Sequence, residues 1–134
     1  MLRTVLDKIA EKLVENGIPK VYSAFDNIPV ENKGREIFTV VGIESYESFS
    51  PIYSEYNVFL PFKAEASVQL IAPQSFTMTQ LYDYFDSYVM PIAGNMGSLT
   101  CSLKKLSMKN DSNISRLVLK VQFSVTGISR LERS

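Results

Sequence analysis

The chain has 134 residues, with 14 Lys and Arg against 14 Asp and Glu, 46% hydrophobic residues and 21% charged residues. That size and balance suit one domain able to bury a core without metal or disulfide support, and they argue against wholesale disorder. Cys101 is the only cysteine and histidine is absent, which removes internal disulfides, zinc-finger spacing and Cys/His or Ser/His nucleophile pairs, while zero net charge argues against a protein that coats nucleic acid.

The first element is predicted as an amphipathic helix. Leu2, Val5, Leu6, Ile9, Leu13 and Val14 recur at three- and four-residue spacing, and charged side chains fill the rest. Gly17 suits the left-handed residue that closes a helix, and Pro19 prevents resumption. The segment alternates charge with apolar residues, so no secretion signal is expected, and no apolar run approaches the ~20 residues that span a bilayer. A soluble protein in a reducing cytoplasm is the expectation.

A short extended piece is expected at Val21 to Phe25, and the polar run Asp26 to Glu36, with Pro29 and Gly34, reads as a surface loop. Two strands follow, Ile37 to about Phe49 and about Tyr53 to Ile71, read as a hairpin turning near Ser50 and Pro51. In the second strand Tyr56, Val58, Leu60, Phe62, Ala64, Ala66, Val68 and Leu70 keep one period-two phase, which helical spacing cannot produce. A strand of that length spans about 55 Å at roughly 3.3 Å per residue, more than so small a body covers. An arm around residues 44–62 is therefore expected to project, with Phe62, nearest the sheet body, as core.

Pro73 ends the strand. Thr77 with Gln80 makes a capping-box pattern that starts a second helix, with Met78, Leu81, Tyr82, Phe85, Val89 and Ile92 as its apolar stripe. Gly94 and Gly97 mark a turn. A last hairpin runs from Leu99, Cys101 and Leu103 through a bulge at Lys104 and Lys105, turns at Lys109 to Asn113 and returns along Leu117, Leu119, Val121, Phe123 and Val125. Only the final LERS looks loose. The expected class is α+β in a single domain: an antiparallel sheet of two long hairpins plus a short strand, two helices on one face and a mainly polar second face.

Charge is segregated along the sequence. Residues 1–98 carry seven basic against twelve acidic side chains, and residues 99–134 carry seven against two. Such a pattern steers copies head to tail, or is simply spread over one folded surface.

Candidate chemistry is sparse. Asp83 and Asp86 stand at i, i+3 on the outward side of the second helix, where a solvated pair is the rule and acid–base work the exception. Glu44, Glu47 and Glu55 have no Asp-rich loop or fixed ligand spacing to make them a calcium site. Cys101 shares its phase with Leu99 and Leu103 and reads as a buried, inert thiol. The Gly94–Gly97 pair follows a helix instead of opening one, the wrong context for cradling phosphate. Lys104, Lys105, Lys109, Arg116 and Lys120 form a basic ribbon without interleaved aromatics, which suits an acidic neighbour better than a nucleic acid. No enzyme is expected, and no catalytic residue, metal or cofactor.

The informative stretch is YESFSPIYSEYNVFLPF, Tyr46 to Phe62, which holds six aromatic residues in seventeen positions. Tyr46, Phe49, Tyr53, Tyr56 and Phe59 are read as an interface more than as local packing, and Lys104 and Lys105, on the basic hairpin, are read as available to neighbours.

In element order and character the chain resembles the tail-terminator and head-tail joining proteins of long-tailed phages and prophages. The resemblance rests on LRTVLDKIAEKLVENGIP, on FTVVGIESYESF running into FKAEASVQLIAP, on the helix TMTQLYDYFDSYV and on a closing hairpin ending LVLKVQFSVTGI. It implies a ring, usually a hexamer, that caps the tail tube and docks to head or neck proteins, without cofactor, membrane or sequence-specific nucleic acid. It also implies a bacterial cytoplasmic setting during assembly and then the virion. The alternative is a monomeric module that binds a small ligand or peptide without catalysis.

Overall fold

The computed structural model describes residues 2–18, 21–23, 37–73, 75–111 and 116–132. Helix α1 spans Leu2–Glu15 and buries Val5, Ile9 and Leu13. Its end is a Schellman closure: Gly17, at φ +118°, donates to the Val14 carbonyl at 3.1 Å, and Ile18 donates to that of Leu13 at 3.1 Å. Ile18 is buried beside Leu13 as the motif requires. The predicted stripe is too wide, because Leu2 and Val14 lie exposed on its margins.

The remaining elements are β1 Val21–Ser23, β2 Phe38–Ser48, β3 Ile52–Tyr53, β4 Asn57–Pro73, α2 Met78–Tyr84, β5 Gly94–Met96, β6 Leu99–Asp111 and β7 Arg116–Glu132. They form one sheet in the order β1-β2-β4-β7-β6-β5, with β3 also paired to β4. The two expected hairpins lie side by side, joined by seventeen registered residues from each of β4 and β7. The expectation of a wholly antiparallel sheet needs correction, since β1 runs parallel to β2. Two short strands, β3 and β5, were not expected. Strand β5 pairs with β6 through a two-residue turn whose first residue, Gly97 at φ +67°, takes the left-handed conformation of the turns that match strand twist. The expected loop Asp26 to Glu36 lies outside the described residues, as do residues 112–115 of the last turn.

Both helices cover the same face. Val5, Ile9, Leu13, Leu81, Phe85 and Val89 join the even-numbered residues Phe62 to Ala72 of β4 and the odd-numbered residues Leu117 to Val125 of β7 in one buried cluster. The capping box of α2 is complete, with Gln80 N donating to Thr77 Oγ1 at 3.2 Å and Thr77 N donating to Gln80 Oε1 at 2.8 Å. The helix then loosens into a π turn at Phe85–Val89 and a 3₁₀ turn at Met90–Ile92. The buried stripe differs from the expected one: Met78 and Tyr82 are exposed in the regular part of the helix, and Tyr84 and Tyr88 pack against the core.

Two bulges flank the centre of the sheet. Glu44 is the extra residue of β2, between Ile43 opposite Ala66 and Ser45 opposite Glu65. Lys104 is the extra residue of β6, between Leu103 opposite Phe123 and Lys105 opposite Gln122. Ala66 and Phe123 are themselves partners, so both insertions adjoin one row and bend the sheet there. The Lys104 bulge agrees with the sequence reading. The Glu44 bulge was missed, although apolar residues move from odd positions (Val41, Ile43) to an even one (Tyr46), which is how an inserted residue reads in sequence.

The second face is polar at its middle. Glu44 reaches across β4 to Lys120, and Gln122 Nε2 donates to its carboxylate at 2.9 Å, while Lys63 pairs with Glu65 at 3.4 Å. Toward β1 that face turns apolar: Phe38 is buried on it, edge-on to Tyr22 with ring centres 6.3 Å apart and 5.7 Å from the Arg116 guanidinium carbon. No helix among the described residues is long and apolar enough to cross a membrane.

Candidate assembly surface

Strands β4 and β7 run past the helix layer. Gly127 marks the boundary, because it faces Phe62 in the register and a Cβ there would sit 2.6 Å from Leu99 Cδ2 and 3.0 Å from the Phe62 ring. Beyond this point β4 continues through Pro61 to Asn57, and β7 runs beside it to Glu132. The arm is therefore three-stranded, with β3 on one side of β4 and β7 on the other. Two expectations change. The tail is not loose, since Leu131 and Glu132 are ladder residues opposite Val58 and Asn57, and Arg133 and Ser134 lie outside the described residues. The reversal is not at Ser50 and Pro51, which only interrupt the strand between β2 and β3.

The reversal is at Ser54 to Asn57. Ser54 N donates to the Asn57 carbonyl at 2.9 Å, and the Ser54 hydroxyl accepts from Asn57 N at 3.1 Å, a side chain standing in for a backbone partner. Tyr56 thus sits in the turn, not in the strand. Phe49 stays tied to the arm through its amide, which donates to the Pro61 carbonyl at 2.9 Å.

Alternation along the strands gives the arm two apolar faces. On the helix side lie Tyr53, Val58, Leu60 and Leu131, continuing from Tyr46. On the other lie Ile52, Phe59, Pro61 and Ile128, with Arg130 beside Phe59. Tyr53 is 66% exposed, Tyr56 71%, and Ile128 and Leu131 54% each, and Phe49 and Ile52 are also open. Phe59 is half-buried. Tyr46 spends one ring face locally, stacked at 5.4 Å and 17° on the buried Phe62, and leaves the other exposed. Sequence reasoning missed Ile52, Ile128 and Leu131. Ile128 and Leu131 are separated by Ser129 and Arg130 and become a strand only through pairing with β4.

Lys104 and Lys105 lie elsewhere, on β6. Strand β5 covers the outer edge of β6 only at Leu99 to Cys101, so from Ser102 onward no strand pairs with that edge among the described residues. A bulge and lysines are how sheets keep such an edge from indiscriminate pairing. On the helix side of the same strand Leu103 and Leu106 are exposed, because the helices do not reach it.

The other candidates separate. Glu44 belongs to the sheet body, not the arm, and its carboxyl is held below the ordinary range by the Lys120 ammonium, against a smaller opposing effect of burial. No group of three metal-ligating side chains gathers among the described residues. Asp83 and Asp86 are exposed on the helix surface. Cys101 is buried, and burial pushes its thiol up to about 11. Burial also raises the Tyr84 phenol, with Thr39 beside it opposing. An open groove of about 410 Å³ runs between α1 and β1, lined by Ala10, Val14 and Val21 with Glu11 and Glu15 at its rim.

Among solved structures the fold is similar to the sheath/tube terminator, in the extended state, of an extracellular contractile injection system, PVC. The TM-score is 0.62 at 10% identity, covering 99% of this chain and 57% of that one. The chain thus spans little more than half of that terminator's length. At such identity the likeness is one of fold, and it supports a tail-terminator-like architecture. The type 4 fimbrial biogenesis protein PilO from Pseudomonas aeruginosa aligns over 98% of this chain and 72% of its own at 10% identity, but its TM-score of 0.32 is too low to carry an argument. No family model and no characterised protein matches the sequence.

Proposed function

We propose that the chain is a structural assembly subunit of a phage-tail-type particle, a terminator whose copies join into a ring that caps the tail tube and docks to head or neck proteins. The observation that carries this reading is the arm: a three-stranded ribbon with exposed apolar side chains on both faces. A lone particle with such a surface is prone to aggregate, whereas a subunit covers it with a neighbour. The terminator-like fold supports the same reading. The ring size is proposed as six. The chain works without catalysis or cofactor, in the bacterial cytoplasm during assembly and then in the finished tail or neck.

Size exclusion coupled to light scattering tests this, with negative-stain images of the same fractions. The expected result is one defined oligomer, seen as rings. A particle that remains single at the highest attainable concentration, with and without a tail-tube protein, would end the reading.

A further inference from the structure

The reading as a ring subunit leaves open what the arm rests on, and two surfaces of this chain match each other. The arm carries apolar side chains beside two acidic ones, Glu47 on β2 and Glu55 in the turn. The open stretch of β6 carries Leu103 and Leu106 on its helix-side face and two basic side chains along the same edge, Lys104 at the bulge and Lys105 opposite Gln122 on the other face. All four charged side chains are exposed. None of them takes part in an ion pair among the described residues, in contrast to Lys63, Glu65, Lys120 and Glu44, which are paired within the sheet. The segregated charge of the sequence is thus partly neutralised inside the fold, by Lys120 on Glu44. Of the exposed charges that remain, Glu47 and Glu55 make the turn side of the arm acidic, with Arg130 on β7 opposing them in part, and Lys104 and Lys105 make the β6 edge basic.

We infer that the arm of one copy docks on the open edge of β6 in the next copy, covering Leu103 and Leu106 and setting Glu47 and Glu55 against Lys104 and Lys105. This inference rests on the ring-subunit reading and specifies its contact. The two surfaces are different parts of one chain, so the contact is heterologous: every copy offers an arm and an edge, and repetition closes a ring when the rotation permits. The apolar side chains supply the attraction. The charges set register and reject the wrong pairing of arm with arm or edge with edge.

Charge reversal separates this contact from others. One variant carries Lys104→Glu with Lys105→Glu, giving an acidic arm and an acidic edge; a second carries Glu47→Lys with Glu55→Lys, giving a basic arm and a basic edge. Each alone is expected to self-associate at least about tenfold more weakly than wild type. An equimolar mixture is expected to recover assembly to within about threefold, because every arm then meets an edge of opposite sign. The Lys104, Lys105 and Glu55 replacements, at exposed positions without ion pairs, should leave the circular dichroism and unfolding midpoint unchanged, whereas Glu47→Lys faces Lys63 across the ladder and should lower the midpoint slightly without loss of secondary structure. The neutral variants Lys104→Gln and Glu47→Gln, with a smaller loss, supply a check that does not depend on tolerating reversal. If the reversed variants assemble like wild type, or the mixture stays apart while wild type assembles, the docking is overturned and the ring-subunit reading stands. If wild type itself never assembles, both fall.

Discussion

Two titratable side chains carry opposite lessons about burial. Cys101 gains nothing from its surroundings that would stabilise a thiolate, and its value of about 11 makes it a packing residue. At pH 8 a thiol reagent should react with the native protein on the order of a hundredfold more slowly than with the unfolded chain. Equal rates would mean that the β5–β6 corner opens readily. Glu44 is the reverse case, a carboxylate whose charged form is favoured by Lys120 and Gln122, so its folded value lies below the ordinary 4.5. That contribution to stability is present above pH 4.5 and is lost as pH falls through the lower folded value. Glu44→Gln should remove at most about 1 kcal/mol at pH 7, since the pair is a third exposed and screened by solvent. It should also flatten the loss of stability below pH 4.5 in denaturant titrations. An unchanged acid limb would show that another carboxylate governs it.

The elements differ in how far their own residues specify them. The Thr77–Gln80 cap and the Gly17 closure were legible because each is a bargain among neighbours in sequence. Thr77→Ala should cost about 1 kcal/mol of unfolding free energy for the same local reason. The long strand β4 was legible from its period, and β7 from the same signal as far as Gly127. The turn was misplaced because Ser50 and Pro51 look more like a reversal than Ser54 and Asn57, whose hydrogen bonds use an ordinary serine. The last stretch of β7 was illegible, since Ile128 to Glu132 has no alternation of its own and takes its conformation from a strand some seventy residues away. The helix stripes were drawn too wide because periodicity cannot tell which margin residues the small sheet will reach. Gly127 is where long-range packing shows most plainly. Leu99 and Phe62 are both buried and cannot swing aside, so Gly127→Ala should cost about 1–3 kcal/mol in chemical denaturation, without loss of secondary structure. A neutral outcome would mean that the boundary between body and arm is looser than it looks.

At the scale of the whole molecule, stability and association should be separable. The core is closed by α1, α2 and the middle of the sheet, whereas the rings of Tyr53 and Tyr56 add little to it. Replacing both with alanine should leave the unfolding midpoint close to that of wild type while the light-scattering mass falls toward the single chain. A fall in midpoint with no change in mass would assign both rings to the fold. The candidate surface was half legible from sequence. Aromatic density marked the loop side of the arm, but the contribution of β7 and the second apolar face exist only once two distant strands are paired.

The insertions at Glu44 and Lys104 are each one residue beyond what their partner strands require, and they fall beside the same pair, Ala66 and Phe123. They act as a crease within the helix-covered body, four residues short of the Phe62–Gly127 boundary where the arm begins. In the proposed ring, the angle between successive copies would then depend on a bend set by two extra amino acids. Shortening both strands by that one residue would open the crease, and the same contacts would enclose a wider circumference or run on as an unclosed spiral.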